Sequence, residues 1–193
     1  MRRNIKTTYL FIALCGAIFV SCNQPSSDES SKTEPLTVFN QELAIPNFNI
    51  ATINDSSIYK RASLDTTGIV LIKYFNPDCD HCQEEAQAFM AKKDSLTNIK
   101  TLWACGDWTP LNKVRAFAED YKLNDLRPIV IGKELNNELL VHYGFSGVPF
   151  TAVYKDNQLI KEYVGDVDFS ELIAINNGTY VAETNEVDLE QEE

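Results

Sequence analysis

Positive charge is scarce in this 193-residue chain, which carries 17 Lys and Arg against 28 Asp and Glu and a formal net charge of −11 at pH 7. A surface that binds nucleic acid needs a basic stripe, so we expect no nucleic-acid partner. Long apolar runs are lacking too, since the longest, Tyr9 to Val20, is shorter than the roughly 20 residues of a membrane-spanning helix. With 44% hydrophobic and 23% charged residues, the chain is neither membrane-saturated nor wholly disordered.

Paired metal-ligating residues are also few in a chain with five cysteines and two histidines. Cys79 and Cys82 have the spacing of half a zinc site, but such a site needs a second ligand pair. The other candidates are Cys105, His142 and scattered carboxylates, so we expect no metal. An odd number of cysteines in an exported chain also means that at least one stays outside intramolecular pairing.

The N-terminus has the pattern of an export signal. Basic residues at positions 2, 3 and 6 precede the apolar run, and a small residue, Ser21, stands before Cys22. This order predicts a signal peptide over residues 1–21, with an uncleaved membrane anchor as the alternative.

The segment Phe19-Val20-Ser21-Cys22 resembles a bacterial lipobox. The resemblance implies that Cys22 becomes the first mature residue and carries lipid, which would tether the protein to a membrane outside the cytoplasm. Asn23 after Cys22 favours the outer membrane. Cleavage would leave 14 basic against 28 acidic residues, a net charge near −14, so the acyl chains rather than charge would hold the protein at an anionic membrane.

Composition divides the mature chain into three parts. Residues 22–36 are rich in Ser, Asp, Glu and Pro and predict a flexible tether. Residues 177–193 contain six acids and no base and predict a disordered acidic tail. The remaining residues 37–176 have the length of one domain.

Strand and helix patterns alternate within this domain. Ile69–Phe75 is a near-continuous β-branched and aromatic run, as expected for a strand buried on both faces, and apolar residues at helical spacing follow from Cys82 to Leu96. Two hairpins are predicted, one with a strand over Phe48–Ile53 and a turn at Asn54-Asp55, and one formed by Thr151–Tyr154 and Gln158–Val164. Two further strands are predicted over Ile99–Ala104 and Pro128–Ile131. Three further helices are predicted: one capped by Thr109-Pro110 and ending at Tyr121, one over Glu134–Tyr143 and one over Asp168–Ile175. We therefore expect an α/β fold with a central mixed β-sheet flanked by helices.

The segment Pro77-Asp78-Cys79-Asp80-His81-Cys82 follows the buried strand and begins the next helix. Cysteines three residues apart on a first helical turn share a face and can close a disulfide. The unpaired amides at a helix N-terminus carry partial positive charge, which favours a thiolate over a thiol. We predict that the outermost cysteine, Cys79, is the nucleophile and that Cys82 is the resolving thiol.

Charged neighbours act on this pair in opposite directions. A protonated His81 would favour the thiolate and make the pair more oxidising. The carboxylates of Asp78 and Asp80 disfavour a further negative charge, so the direction of electron transfer stays open. A purely structural disulfide is an alternative, but it would contribute little because disulfide stabilisation grows with the length of the closed loop.

Three segments together resemble the thioredoxin fold: Cys79-Asp80-His81-Cys82, Gly147-Val148-Pro149-Phe150-Thr151, and Ile45-Pro46-Asn47-Phe48. The last segment, leading into a hairpin, is similar to membrane-anchored TlpA/ResA-type thiol-disulfide oxidoreductases. The resemblance covers residues 44–175. It implies a thioredoxin-like three-layer fold with an N-terminal hairpin extension, and no metal or organic cofactor. It also implies a cis Val148-Pro149 bond facing the cysteines, where Val148 offers its backbone to a substrate strand.

The chain departs from that family at three positions. Asp78 replaces a frequent aromatic residue, which makes docking beside Cys79 more acidic. Lys73 replaces a buried acid or amide, and we expect its ammonium to reach solvent; the alternative is a buried Lys that relays protons to Cys82. Cys105 is expected to be a small buried hydrophobic residue, or else an extra thiol near the pair.

The favoured hypothesis is an extracytoplasmic oxidoreductase that exchanges the Cys79-Cys82 disulfide with cysteines of other proteins. The expected partners are cysteine-containing extracytoplasmic proteins and a second redox protein that recycles the pair. We expect a monomer in the cell envelope, lipid-anchored at Cys22 and facing the periplasm.

Two alternatives remain open. A peroxiredoxin-like peroxidase usually has Thr three residues before its reactive cysteine, where this chain has Asn76. A non-catalytic lipoprotein could instead bind Cu(I) through the soft thiolates of Cys79 and Cys82, with His81 or Cys105 as a further ligand.

Overall fold

The computed structural model describes residues 43–181. The predicted signal peptide, the lipidation site Cys22, the tether and the tail after residue 181 lie outside the described residues and stay predictions. Within residues 43–181, no helix has the length and apolar character needed to cross a membrane.

A seven-stranded mixed β-sheet forms the centre of the fold, with strands in the order β2-β1-β5-β4-β3-β6-β7. The parallel pairs are β3 with β4 and β4 with β5, and the remaining neighbours are antiparallel. The sheet thus agrees with the prediction, including the hairpin of β1 and β2 at one edge. The strands are β1 (Asn49–Thr52), β2 (Ile58–Lys60), β3 (Ile69–Tyr74), β4 (Ile99–Cys105), β5 (Ile129–Glu134), β6 (Phe150–Lys155) and β7 (Gln158–Val164).

Four α-helices within residues 43–181 cover the sheet: α1 (Asp80–Ala91), α2 (Leu111–Asp120), α3 (Glu138–Tyr143) and α4 (Phe169–Asn176). Helices α1, α2 and α4 contribute side chains to one apolar cluster, and α3 contributes to a second. The central strand β3 joins both clusters, because Ile69 and Leu71 lie in the first while Val70 and Ile72 lie in the second. The continuous apolar pattern of β3 therefore reflects burial on both faces.

The boundary between β5 and α3 differs from the prediction. The sequence predicts that Glu134 begins a helix, but this residue ends β5 and is fully buried, and α3 begins only at Glu138. The cause is a long-range pairing, since Ile50 of β1 pairs with Glu134 and Thr52 pairs with Gly132. Pairing with a distant strand holds these residues extended, which local periodicity does not reveal.

Two helix boundaries also shift. Helix α1 ends at Ala91 and not at Leu96, because a 3₁₀ turn follows it. Helix α2 begins at Leu111, so Pro110 takes the N-cap position that the sequence predicts for Thr109, and no side chain caps the helix. The other strands and helices lie where the sequence predicts them.

Candidate active site

Cys79 is the N-cap residue of α1 and follows the turn that leaves β3. The Cys79 amide donates to the Asn76 carbonyl at 3.1 Å, and the Asp78 amide donates to Asn76 Oδ1 at 3.0 Å. These bonds fix the turn and place the Cys79 thiol at the first amides of the helix. Those amides lack partners within the helix and favour negative charge nearby.

Cys82 lies one turn into α1, behind Cys79. Its amide donates to Cys79 Sγ at 3.4 Å. Both residues are free thiols, and Cys82 is fully buried whereas Cys79 is half-buried. Burial raises the pKa of the Cys82 thiol to about 12. A sulfur from another molecule can therefore reach Cys79 but not Cys82.

The loop before β6 brings a cis proline to the cysteine pair. The Val148-Pro149 peptide bond is cis, as the resemblance implied. Cys79 Sγ lies 3.7 Å from the Val148 carbonyl oxygen, and the Gly165 amide donates to the Pro149 carbonyl at 2.9 Å. Val148 is half-buried. The contact with Sγ places the Val148 main chain beside Cys79, the more exposed of the two thiols.

The expectation that the Lys73 ammonium reaches solvent is wrong. Lys73 is fully buried on β3, and its Nζ forms an ion pair with Glu85. Nζ also donates to Thr151 Oγ1 at 3.1 Å and lies 5.4 Å from the ring centroid of Trp103. Because β3 is central, its residues have no route to solvent, and the buried carboxylate on α1 supplies the charge that Lys73 needs.

Glu85 is the site residue that the sequence reasoning missed. It lies three residues after Cys82 on the inward face of α1, and its Oε1 accepts from the Val167 amide at 3.0 Å. An acid among the apolar inward positions Ala86 and Phe89 was a signal that could have revealed it. Glu85 thus links β3, α1 and the segment before α4 directly behind the cysteine pair.

Electrostatics couple Lys73 to Cys82. Burial lowers the pKa of Lys73, and the opposing effect of Glu85 favours the charged ammonium. The Lys73 charge in turn acts to lower the pKa of Cys82, against the larger effect of burial. A charge inside a protein acts more strongly than one in water, so Lys73 favours the Cys82 thiolate whenever it forms.

His81 and Asp80, the other predicted tuning residues, are both exposed on the first turn of α1. His81 Nδ1 lies 3.9 Å from Asp166 Oδ1, and both side chains are about 70% exposed, so this contact is weak. Asp78 pairs instead with Lys113 of α2, with Nζ and Oδ2 2.6 Å apart. The structure therefore places these charges at the rim of the site and not against the thiols.

Cys105 is a buried residue of the core, as expected. Its thiol lies 3.6 Å from the Gly132 carbonyl oxygen on the neighbouring strand β5. Burial raises the pKa of Cys105 to about 12. In the part of the chain that the structure describes, no group of three or more His, Cys, Asp or Glu residues could hold a metal ion.

Sequence comparison finds little. No protein-family model matches the chain. Among curated proteins, the voltage-gated potassium channel Kch of Escherichia coli (strain K12) is 30% identical over 95 residues, which are 46% of this chain and 22% of the channel. The match spans less than a quarter of that protein and shows no family.

Structural comparison is more informative. A secreted disulfide oxidoreductase of Mycobacterium tuberculosis, homologous to E. coli DsbE, has a TM-score of 0.56 at 13% identity and covers 72% of this chain and 98% of that one. A thiol:disulfide interchange protein of the thioredoxin family from Chlorobium tepidum TLS has a TM-score of 0.54 at 16% identity and covers 70% and 94%. At these identities the likeness is one of architecture, and the chain has the thioredoxin-like fold.

Proposed function

We propose that this protein is an extracytoplasmic thiol-disulfide oxidoreductase that exchanges the Cys79-Cys82 disulfide with cysteines of partner proteins. The observation that carries the proposal is the contact of 3.7 Å between Cys79 Sγ and the Val148 carbonyl oxygen, beside the cis bond to Pro149. A half-buried thiol at a helix N-terminus lies next to the main chain of Val148, and a second, buried thiol lies one turn behind it.

The exchange proceeds through two substitutions at sulfur. The Cys79 thiolate attacks one sulfur of a partner disulfide, a Cys79-partner disulfide forms, and the other partner sulfur leaves as a thiolate. The Cys82 thiol then loses its proton and attacks Cys79 Sγ. The Cys79-Cys82 disulfide forms and the second partner sulfur leaves, so the partner gains two electrons. The same steps in reverse oxidise a partner dithiol.

The buried Lys73-Glu85 pair assists the second substitution. With its pKa raised to about 12 by burial, Cys82 is a thiol at neutral pH and must be deprotonated to attack. A positive charge on Lys73 stabilises the thiolate that forms, and the Glu85 carboxylate opposes the lowering of the Lys73 pKa by burial. These two residues lie inside the fold. They act on Cys82 through their charges and do not contact the partner protein.

The cis-proline loop holds the partner. Val148 presents main-chain groups beside Cys79, and an extended partner segment can pair with them as an added strand would. Such pairing would align a partner cysteine with Cys79. Because it uses main-chain groups, it would accept many different partner sequences. The proposed partners are extracytoplasmic proteins with reactive cysteines and a redox protein that recycles the pair.

The cellular setting belongs to the same proposal. An N-terminal signal and lipidation at Cys22 would place a monomeric redox domain in the cell envelope, facing the periplasm and held at the outer membrane. The basis is the sequence pattern of residues 1–23 alone.

The proposal is tested by trapping the intermediate. Without its resolving thiol, a Cys82→Ala variant should accumulate mixed disulfides through Cys79, seen as reductant-sensitive bands on non-reducing gels of cell-envelope proteins. The matched control is Cys82→Ala/Cys79→Ala, which should trap nothing. If the two variants give the same pattern, the proposed exchange does not occur.

A further inference from the structure

The loop after β4 holds an exposed tryptophan in a fixed position. Trp108 is 63% exposed, and its ring lies against Gly106, where a Cβ atom would stand 2.3 Å from ring carbons Cη2 and Cζ2. The Thr109 amide donates to the Gly106 carbonyl at 3.0 Å, and the Asp107 amide donates to Asn137 Oδ1 at 3.1 Å. The loop is thus ordered around a large side chain that the fold itself leaves uncovered.

Trp108 and Cys79 lie at the same edge of the sheet. They follow the neighbouring parallel strands β4 and β3, whose last residues include the pair Ala104 and Tyr74. Farther out, Lys113 of α2 pairs with Asp78, the residue before Cys79, at 2.6 Å. Adjacent strands are about 4.8 Å apart, so the loops that follow β3 and β4 are neighbours at this edge of the sheet.

The rim around Cys79 is negatively charged. Among residues 43–181, Asp80 has no ion-pair partner, and Asp166 has only His81 at 3.9 Å. Asp78 is neutralised by Lys113.

We propose that the site selects partner segments in which a Lys or Arg stands near the reactive cysteine, with the cation on the face of Trp108 and within the field of Asp80 and Asp166. This inference rests on the proposed exchange at Cys79 and adds the chemical class of the partner. A cation is attracted by the face of an indole ring and by nearby carboxylates alike. An acidic partner segment is repelled by the carboxylates of Asp80 and Asp166.

The test uses three synthetic peptides in which a single cysteine is flanked by Arg, Ala or Glu, each joined by a disulfide to thionitrobenzoate. The Cys79 thiolate attacks the peptide sulfur, thionitrobenzoate leaves and is measured by its absorbance, and Cys82 then releases the peptide as a thiol. Ellman's reagent, which carries no peptide, reports the reactivity of the thiols themselves.

At low ionic strength we expect the Arg peptide to react about tenfold faster than the Glu peptide, with the Ala peptide between them. This difference in rate should shrink in high salt.

In Trp108→Ala the rate with the Arg peptide, relative to that with Ellman's reagent, should fall about fivefold, and Trp108→Phe should recover part of this loss. In Asp166→Asn the ratio of the rate with the Arg peptide to the rate with the Glu peptide should become smaller. Ile58→Ala, at a 53% exposed position on the outer strand β2, is the matched control and should keep the wild-type preference.

Equal rates for the three peptides at low salt, with normal reaction of Ellman's reagent, would overturn this inference and leave the proposed exchange standing. An unchanged Arg preference in Trp108→Ala would remove Trp108 from the docking surface. If no probe reacts through Cys79, both the inference and the proposed function fail.

Discussion

At the scale of the residue, Cys82 and Cys105 are both fully buried cysteines with different surroundings. Cys82 lies behind a second thiol and near the Lys73 ammonium, whereas Cys105 contacts the Gly132 carbonyl. The same physical effect, loss of hydration, raises the pKa of each thiol to about 12. Position relative to Cys79, and not the pKa of the thiol, separates Cys82, the proposed resolving thiol, from Cys105 in the core.

The raised pKa of Cys105 predicts a loss of stability at alkaline pH. Its pKa rises from 9.0 to about 12 on folding, so its contribution is complete below pH 9 and is lost as the pH rises toward 12. Between pH 8 and pH 10.5 this loss should amount to about 2 kcal/mol. Urea unfolding of the reduced protein should show it in the wild type, and Cys105→Ala should lose about 2 kcal/mol less over the same interval. If the free energies of unfolding of the wild type and of Cys105→Ala fall in parallel over this interval, the pKa of Cys105 is not raised by folding.

At the scale of the element, the Lys73-Glu85 pair joins β3 to α1. Both charges are buried, so each depends on the other. The pair therefore fixes α1, and with it Cys79 and Cys82, against the central strand. Removal of one partner leaves an unpaired charge in the core, which costs far more than loss of an exposed ion pair.

Double-mutant analysis checks this link. Lys73→Met should lower the free energy of unfolding by about 3–5 kcal/mol, and Glu85→Leu should do the same, because each leaves a buried charge without its partner. The double variant Lys73→Met/Glu85→Leu should regain most of this, since an apolar pair of similar volume is often no less stable. Additive losses in urea unfolding would show that the two side chains are not coupled.

Local sequence was sufficient for the cysteine pair, because strand, turn and first helical turn are contiguous from Ile69 to Cys82. The cis bond at Pro149 came from the resemblance and not from spacing, since most X-Pro bonds are trans. The sequence contained a signal for Glu85 and an alternative with a buried Lys73, but the pairing of these two residues was out of reach because it depends on how α1 packs on β3. The end of β5 at Glu134 likewise depends on the distant strand β1.

At the scale of the whole molecule, the sheet order places several chain segments at one edge. The ends of β3 and β4, the start of α1 and the cis-proline loop before β6 all meet beside Cys79. The mixed order explains this, since β6 enters antiparallel to β3 and begins where β3 ends. Each of these segments can be predicted from local sequence, whereas their meeting beside Cys79 depends on the order of the strands.

The redox pairing of Cys79 and Cys82 can be measured by titration of the reduced full-length protein in glutathione buffers of graded ratio, with thiols trapped by alkylation and located by mass spectrometry. We expect one two-electron transition that joins Cys79 to Cys82, with a midpoint between about −270 and −120 mV. Cys105 should remain a free thiol throughout. If Cys79 and Cys82 stay unlinked at every ratio, the proposed exchange is contradicted.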